Sequence, residues 1–226
     1  MAPTRILWIL RPIPQGDALE RRLGCAERKR ARGFGSTRRR REWVCARVTA
    51  RDLVARLLSL PPARARAVVL DATRSGAPFA RERSGRRLPV SLSIAHGGGW
   101  VACAAAKGAG LRLGVDVEPV APRRLAVFRR VLSPAELPAV ARARGRARDV
   151  RLTRLWCLKE AVLKARSTGF AVDPRTVVAS PGRGGPGWRR AAVRLRGRGR
   201  AWCLRRGVLV VALAWLEEGE AELVQG

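Results

Sequence analysis

The sequence predicts an α+β fold made of two similar subdomains. Each half of the chain contains a long amphipathic helical pattern followed by two short apolar strands joined by a turn. The strand "GWVACAAA" in the first half resembles "GVLVVALAW" in the second. Hydrophobic residues make up 47% of the 226 residues, which is enough for a packed core. We therefore predict a first subdomain over residues 1–110 and a second over residues 111–226.

The first half reads as strand, helices and a hairpin. Apolar residues at helical spacing from Trp43 to Leu58 predict an amphipathic helix that Pro61 and Pro62 end. The other predicted elements are strand 5–10, helix 18–34, strand 67–72, a loop over 73–89, and strands 90–96 and 100–106 around the turn "GGG".

The second half begins with a strand over 111–120 and continues with helices. Ser133 is the predicted N-cap of a helix over 133–144, because Pro134 and Glu136 suit its first turn. The other predicted elements are helices 123–132 and 149–170, a loop over 180–187, and strands 191–197, 201–206 and 208–215.

Composition limits the kind of partner and the compartment. The formal net charge of +30 attracts polyanions such as nucleic acid, phosphorylated cofactors or acidic proteins, although a GC-rich genome would also enrich arginine. No run of about 18 apolar residues exists, which predicts no membrane span. The five cysteines contain no CxxC pair, which argues against zinc or disulfides and for a reducing cytoplasm.

Two segments carry candidate chemistry. Asp116 and Glu118 alternate with Val117 on a predicted strand, so both carboxylates point the same way and suit a divalent cation; a solvated strand end is the alternative. In "WCLKEAVLK", Glu160 and Lys164 lie on one helix face. Nearly all basic residues of the chain are arginines, so a lysine at this position suggests an ammonium that faces a phosphate group. The alternative is an ordinary Glu–Lys pair on the surface.

The lone histidine, His96, ends a predicted strand beside three glycines, a context that suits a phosphate contact as well as a structural role. Together, "SLSIAH" (91–96), "GVDVE" (114–118), "LSPAE" (132–136) and "WCLKEAVLK" (156–164) resemble the 4′-phosphopantetheinyl transferases of the long, surfactin-synthetase-activating type. The resemblance implies a pseudo-twofold α+β fold with coenzyme A in the cleft between the subdomains. It also implies transfer of phosphopantetheine to a serine of an acidic acyl or peptidyl carrier protein, by a cytoplasmic monomer that uses Mg²⁺.

Site residues follow from the resemblance position by position. Asp116, Glu118 and Glu160 would surround Mg²⁺, with Glu160 as the base for the serine hydroxyl. Asp116 and Lys164 would join Glu160 in catalysis, and Lys164 would also hold the pyrophosphate. The implied coenzyme A contacts are Arg30, Arg74, Gly76, Pro78, Ser93, His96, Asp116, Lys159 and Lys164.

The sequence departs from the family pattern at two positions. Ala77 stands in the loop "SGAP" (75–78) where the family usually has lysine or arginine, and Arg74 or Arg81 would have to substitute. Ala95 precedes His96 where the family has serine, so a hydroxyl contact to phosphate is missing. The alternatives are a basic nucleic-acid-binding module, which leaves "GVDVE" and "KEAVLK" unexplained, and a non-catalytic relative, against which the three acidic residues argue.

Overall fold

The computed structural model describes residues 3–167, 172–182, 187–194, 199–217 and 221–225. Its helices are α1 (Cys25–Arg32), α2 (Thr37–Leu57), α3 (Pro62–Ala67), α4 (Leu125–Phe128), α5 (Leu137–Ala141) and α6 (Gly145–Ala165). Its strands are β1 (Thr4–Pro12), β2 (Val69–Ala72), β3 (Pro78–Arg81), β4 (Val90–Gly97), β5 (Trp100–Lys107), β6 (Leu113–Pro119), β7 (Val178–Ser180), β8 (Arg189–Arg194), β9 (Arg200–Arg206), β10 (Leu209–Trp215) and β11 (Ala221–Gln225).

The chain uses one topology twice. In the first unit, β1 is followed by α2 and the hairpin β4–β5, and β5 pairs antiparallel with β1. In the second unit, β6 is followed by α6 and the hairpin β9–β10, and β10 pairs antiparallel with β6. Helices α2 and α6 are both 21 residues long. The predicted α+β fold of two similar subdomains is confirmed, and the repeated sequence pattern lies in β5 and β10.

The core has four layers because successive side chains of a strand point to opposite faces. One face of the first sheet packs on α2, and one face of the second sheet packs on α6. The remaining faces of both sheets share a third apolar cluster, which includes Ile6, Trp8, Val115, Val211 and Leu213. The order of layers is therefore helix, sheet, sheet, helix.

Strands β4 and β6 join the two units. The backbone N–H of Val115 donates to the Ser93 hydroxyl at 2.9 Å. A Cβ atom at Gly97 would lie 2.3 Å from the carbonyl oxygen of Val117, so only glycine allows this approach of the two backbones. The end of β4, where His96 lies, is consequently held against the acidic end of β6.

Several predicted boundaries were wrong. The predicted helix 18–34 is a 3₁₀ turn (Ala18–Arg22) followed by α1, because Gly24 begins a new helix in extended conformation. The predicted helix 123–132 contains only α4, and Ser133 precedes α5 without capping it. Helix α6 begins at Gly145, four residues earlier than predicted. Helix α3 and strands β3, β7 and β11 were not predicted.

The edges of three predictions reach residues that the structure does not describe. These are positions 168–170 of the predicted helix 149–170, positions 183–186 of the predicted loop, and positions 195–197 of the predicted strand 191–197. Strand β11 pairs in parallel with β1, so the chain returns to the first sheet after completing the second. The subdomain boundary between residues 110 and 111 stays a prediction.

Four of the five cysteines lie in the interior, as small apolar residues do, and Cys25 is exposed. All five are free thiols, and Cys45, Cys103, Cys157 and Cys203 are buried. Burial raises the pKa of Cys203 to about 12, so this thiol stays protonated and unreactive at neutral pH. No helix within the described parts of the chain has both the length and the apolar character to cross a lipid bilayer.

Candidate functional site

Helix α6 lies unusually close to strand β6. A Cβ atom at Gly114 would sit 1.9 Å from the carbonyl oxygen of Ala161, so the glycine of "GVDVE" is what permits this contact. The close packing directs the end of α6 over Asp116, which alternates with the buried residues Val115 and Val117 along β6. The two sequence segments with candidate chemistry therefore meet at one place.

Asp116 and Lys164 form the centre of this site. The Asp116 side chain is 8% exposed, and its Oδ1 accepts a hydrogen bond from Lys164 Nζ at 2.7 Å. The same ammonium donates to the carbonyl oxygen of Val115 at 3.2 Å. Because an ammonium has three protons, one donor remains for a ligand, and the 31% exposure of the Lys164 side chain leaves it accessible.

Glu118 is held by two donors from helices and loops around it. Its Oε1 accepts from Trp156 Nε1 at 3.0 Å, and its Oε2 accepts from Arg123 Nη2 at 3.0 Å. Arg123 also donates from its backbone to Asp149 at 3.2 Å, which fixes the loop after β6. Sequence reasoning missed Arg123, whose only signal was the pair Arg123-Arg124 shortly after Glu118.

Glu160 lies where burial and neighbouring carboxylates disfavour its charge. Burial, followed by the negative charges of Asp116 and Glu118, raises the pKa of Glu160, while Lys164 opposes the shift. Within the described residues, Glu160 Oε1 and Asp116 Oδ2 are buried and have no hydrogen-bond partner. Buried carboxylate oxygens without partners are costly, so this pair suits a cation that the protein itself does not supply.

The arrangement fits a divalent cation in chemistry, although the ligands are not gathered. No group of three carboxylate, imidazole or thiol side chains in the described parts of the chain is close enough to form a ready-made metal site. Asp116 is engaged by Lys164, and Glu118 by Arg123 and Trp156. The partnerless oxygens of Asp116 and Glu160 remain the two donors that fit Mg²⁺, which takes one or two carboxylates and keeps other positions for phosphate and water.

The first unit has an ion pair at the positions that correspond to Glu118 and Glu160. Arg11 and Glu118 are each the penultimate residue of a strand that ends in proline. Asp52 and Glu160 are each the sixteenth residue of a 21-residue helix. Arg11 pairs with Asp52 at 3.4 Å. Where the first unit has an ion pair, the second has two carboxylates.

A cavity of about 350 Å³ opens beside Lys164. Gly76, Pro78 and Ser93 line it together with Lys164, so the structure brings these four predicted residues together. Ser93 is buried, and its hydroxyl is used to hold β6. The cavity extends from the loop before β3 to the end of α6, and it connects the predicted adenine-side loop to the ammonium of Lys164.

Besides Lys164, the cavity is lined by two arginines that were not predicted, Arg87 and Arg112, and Arg112 is paired with Glu217 at 3.1 Å. Arg74 is exposed and does not line the cavity, and Arg81 pairs with Asp71 at 3.3 Å. Arg87 lines the cavity instead, with its guanidinium 4.1 Å from the ring centre of Phe79. The loop before β4 thus supplies the cation that Ala77 does not.

His96 and Arg30 lie apart from the cavity, at the beginning of α2. The Nδ1 atom of His96 is 3.6 Å from Oε2 of the buried Glu42, and its side chain is 50% exposed. Arg30 is exposed and lies 5.7 Å from the ring centre of Trp43, the residue after Glu42. Both predicted phosphate contacts are accessible at the surface but do not line the cavity.

Lys159 was predicted to contact coenzyme A, but its side chain lies in the core and cannot reach a ligand. The Lys159 side chain is fully buried, with Nζ 2.9 Å from Oε2 of Glu136 and bonded to the carbonyl oxygens of Pro174 and Val177. Burial lowers the pKa of Lys159, and Glu136 opposes this effect. Lys159 precedes Glu160 by one residue, which turns it about 100° around the helix and into the core.

Comparison with known proteins supports the second half of this picture. Residues 112–215 match the model of the 4′-phosphopantetheinyl transferase superfamily, a range that contains β6 and α6 with Asp116, Glu118, Glu160 and Lys164. This match supports a phosphopantetheinyl transferase role in general terms. A solved apo-ACPS structure from Chronobacterium ammoiniagenes is similar at 22% identity and a TM-score of 0.36, over 45% of this chain and 92% of that chain. No curated protein matches the sequence.

Proposed function

We propose that this protein transfers the 4′-phosphopantetheine group of coenzyme A to a serine of an acyl or peptidyl carrier protein. The observation that carries the proposal is the meeting of Asp116, Glu160 and Lys164, with partnerless carboxylate oxygens, in the region that matches the transferase superfamily. Two similar subdomains agree with the long, surfactin-synthetase-activating type. A cytoplasmic monomer is part of the proposal.

Each residue has a chemical task in this reaction. The carrier serine oxygen attacks the phosphorus that bears the pantetheine, the bond from that phosphorus to the leaving phosphate of 3′,5′-ADP breaks, and the serine proton passes to Glu160. In the metal-free protein burial and neighbouring carboxylates raise the pKa of Glu160, so its carboxylate is there a stronger proton acceptor than an exposed one. Lys164 donates a hydrogen bond from its remaining N–H to the leaving phosphate and lowers the cost of the charge that develops there.

Asp116 and Glu160 would hold Mg²⁺, with Glu118 as the third carboxylate. The bound ion would neutralise the charge of the pyrophosphate and orient it. Glu118 keeps Trp156 and Arg123 in place in the absence of metal. The cavity beside Lys164, with Arg87 at its far side, accepts the nucleotide end of coenzyme A, while His96 and Arg30 contact its phosphates.

The surface charge suits an acidic carrier. A net charge of +30 raises the rate of encounter with a negatively charged partner, and this effect weakens with salt. The charge selects the sign of the partner and leaves open which pathway the carrier serves.

The decisive experiment is incubation of the protein with an apo carrier protein, coenzyme A and Mg²⁺, followed by intact mass of the carrier. We expect the mass to rise by one phosphopantetheine, and chelator to prevent the rise. Asp116→Ala removes a proposed ligand and should abolish transfer. Glu222→Ala is the matched control, because Glu222 is an exposed acid on edge strand β11. Unchanged carrier mass across acyl and peptidyl carriers, with folded protein, would refute the proposal.

A further inference from the structure

A second and larger cavity lies on a different part of the second unit. Its volume is about 810 Å³, and it shares no residue with the cavity beside Lys164. Helices α5 and α6 form one wall, and the segment from Val178 to Gly182 with strands β8 and β9 forms the other. A cavity of this size is in the range that encloses small organic ligands.

Five arginines converge on this cavity. Arg154 is half-buried, and its Nε is buried without a hydrogen-bond partner in the described part of the chain. The other four arginines are exposed at the rim, where they lie on helix α6 and strands β8 and β9: Arg146, Arg151, Arg194 and Arg205. Like charges that line one cavity repel one another, so an anion among them would remove an unfavourable interaction.

The cavity contains no acid that is free to neutralise these cations. Its one acidic residue is Glu136, within the described ranges. Glu136 Oε2 accepts from Ser133 N at 2.7 Å and contacts Lys159 Nζ at 2.9 Å, and its Oε1 accepts from Ala179 N at 2.7 Å. Its charge is therefore already balanced inside the core.

Some arginines elsewhere in the described part of the chain are paired with carboxylates, whereas others, such as the exposed Arg74 and Arg206, are not. Arg22 pairs with Asp52 at 2.6 Å, and Arg123 pairs with Glu118 at 3.0 Å. None of the five cavity arginines forms an ion pair with another described residue. General enrichment in arginine explains many cations on the surface but does not explain five around one concave, unneutralised cavity.

The shape and the apolar floor indicate the class of ligand. The segment from Val178 to Gly182 extends for about 13 Å at the rise of a strand, which is longer than a single phosphate. Between the arginines the lining is apolar and includes Val150, Leu155 and Pro181. We propose that this cavity binds an organic polyphosphate, whose phosphates contact the arginines and whose organic part lies on the apolar floor.

Binding of ATP, as a probe of this class, tests the proposal without any transfer reaction. Isothermal titration calorimetry is done in chelator, on the full chain, at two salt concentrations. Arg194→Gln/Arg205→Gln removes two charges from the rim. Arg189→Gln/Arg206→Gln is the matched control, because Arg189 and Arg206 are exposed on the same two strands but do not line the cavity.

We expect the cavity variant to bind ATP at least tenfold more weakly than the wild type, and the control variant to lose less than threefold. Inorganic phosphate should bind more weakly than ATP, because it cannot reach the apolar floor. Equal losses in the two double variants would overturn the proposal, since binding would then follow overall charge. Absence of ATP binding to the wild type at low salt would also overturn it. A cavity variant that loses affinity for duplex DNA but keeps its affinity for ATP would overturn it as well.

Discussion

Lys164 has three protons, of which Asp116 and the Val115 carbonyl oxygen use two. A compact ammonium can add a phosphate oxygen without leaving these partners. A guanidinium is planar and broader, and it favours a two-pronged contact with a carboxylate. An arginine at position 164 would therefore engage both oxygens of Asp116 and leave less positive charge facing the ligand.

We predict that Lys164→Arg lowers the rate of transfer at least tenfold while Tm changes by less than about 2 °C, a small shift for a chain of this size. Steady-state transfer and thermal unfolding measure the two effects side by side. Lys107→Arg is the control, because Lys107 is exposed at the end of β5. Wild-type turnover in Lys164→Arg would mean that any cation suffices at this position.

In the metal-free protein, the charged form of Glu160 lowers the free energy of unfolding, and this effect depends on pH. Its pKa is raised by burial and by Asp116, so the folded protein holds the Glu160 proton at a higher pH than the unfolded chain does. Its contribution is therefore most favourable at low pH and is lost as pH rises through the raised pKa. Removing the charge should relieve this loss at neutral pH.

We predict that Glu160→Gln, in chelator, raises Tm by about 2–4 °C at pH 7, which corresponds to about 1 kcal/mol for a chain of this size. The gain should shrink as pH falls toward about 4, near the ordinary pKa of glutamate. The same variant should lose transfer, because it lacks the base. A gain that is independent of pH would show that packing rather than charge is responsible.

Some of these residues follow from simple periodicities, and others do not. Alternation along a strand places Asp116 and Glu118 on one side of Val117, and helical spacing places Lys164 one turn beyond Glu160. The burial of Lys159 depends on Glu136, which is 23 positions away, and on the carbonyl oxygens of a later segment. Local pattern contains no information about such partners.

Among the contacts between structural elements, that of β6 with α6 leaves the least room for an added side chain. At Gly114 any side chain would meet the backbone of α6, because a Cβ atom would lie 1.9 Å from the Ala161 carbonyl oxygen. Backbone atoms within a helix cannot give way as a flexible side chain can. The added methyl group must push α6 away from the strand, and this would also separate Asp116 from Lys164.

We predict that Gly114→Ala lowers the free energy of unfolding by about 1–3 kcal/mol, the usual cost of overpacking a core. Urea unfolding followed by tryptophan fluorescence measures it. Gly16→Ala is the control, because a Cβ atom at Gly16 has nothing within 4 Å. Equal stability of the two variants would show that α6 moves without cost.

Elements that end at proline or glycine were predicted best. The helix α2 stops before Pro61, and β6 ends at Pro119, as the sequence indicates. The basic segment 18–34 has helical composition throughout, and its composition alone does not show that Gly24 separates a 3₁₀ turn from α1. Strand β11 was missed because a strand that pairs with the distant β1 depends on its partner more than on its own residues.

Across the whole molecule, charge sets how the protein meets other polyanions. A net charge of +30 attracts nucleic acid without any surface that reads bases. We predict that random duplex DNA binds weakly, with no sequence preference, and that the affinity falls at least tenfold between 50 and 200 mM salt, as counterion release by several phosphate contacts requires. Fluorescence anisotropy with two unrelated duplexes measures both. A preferred sequence whose binding survives physiological salt would favour a nucleic-acid-binding function.

A molecule with two equivalent halves can carry a one-sided site only if its sequence breaks the symmetry. At matching strand positions the first unit has Ile9 and Arg11, and the second has Asp116 and Glu118. The matching helix positions, Asp52 and Glu160, are both acidic. Since these helix positions agree in sign, the asymmetry of charge lies in two strand residues, and a double exchange there would give one copy of a duplicated ancestor its excess of carboxylates.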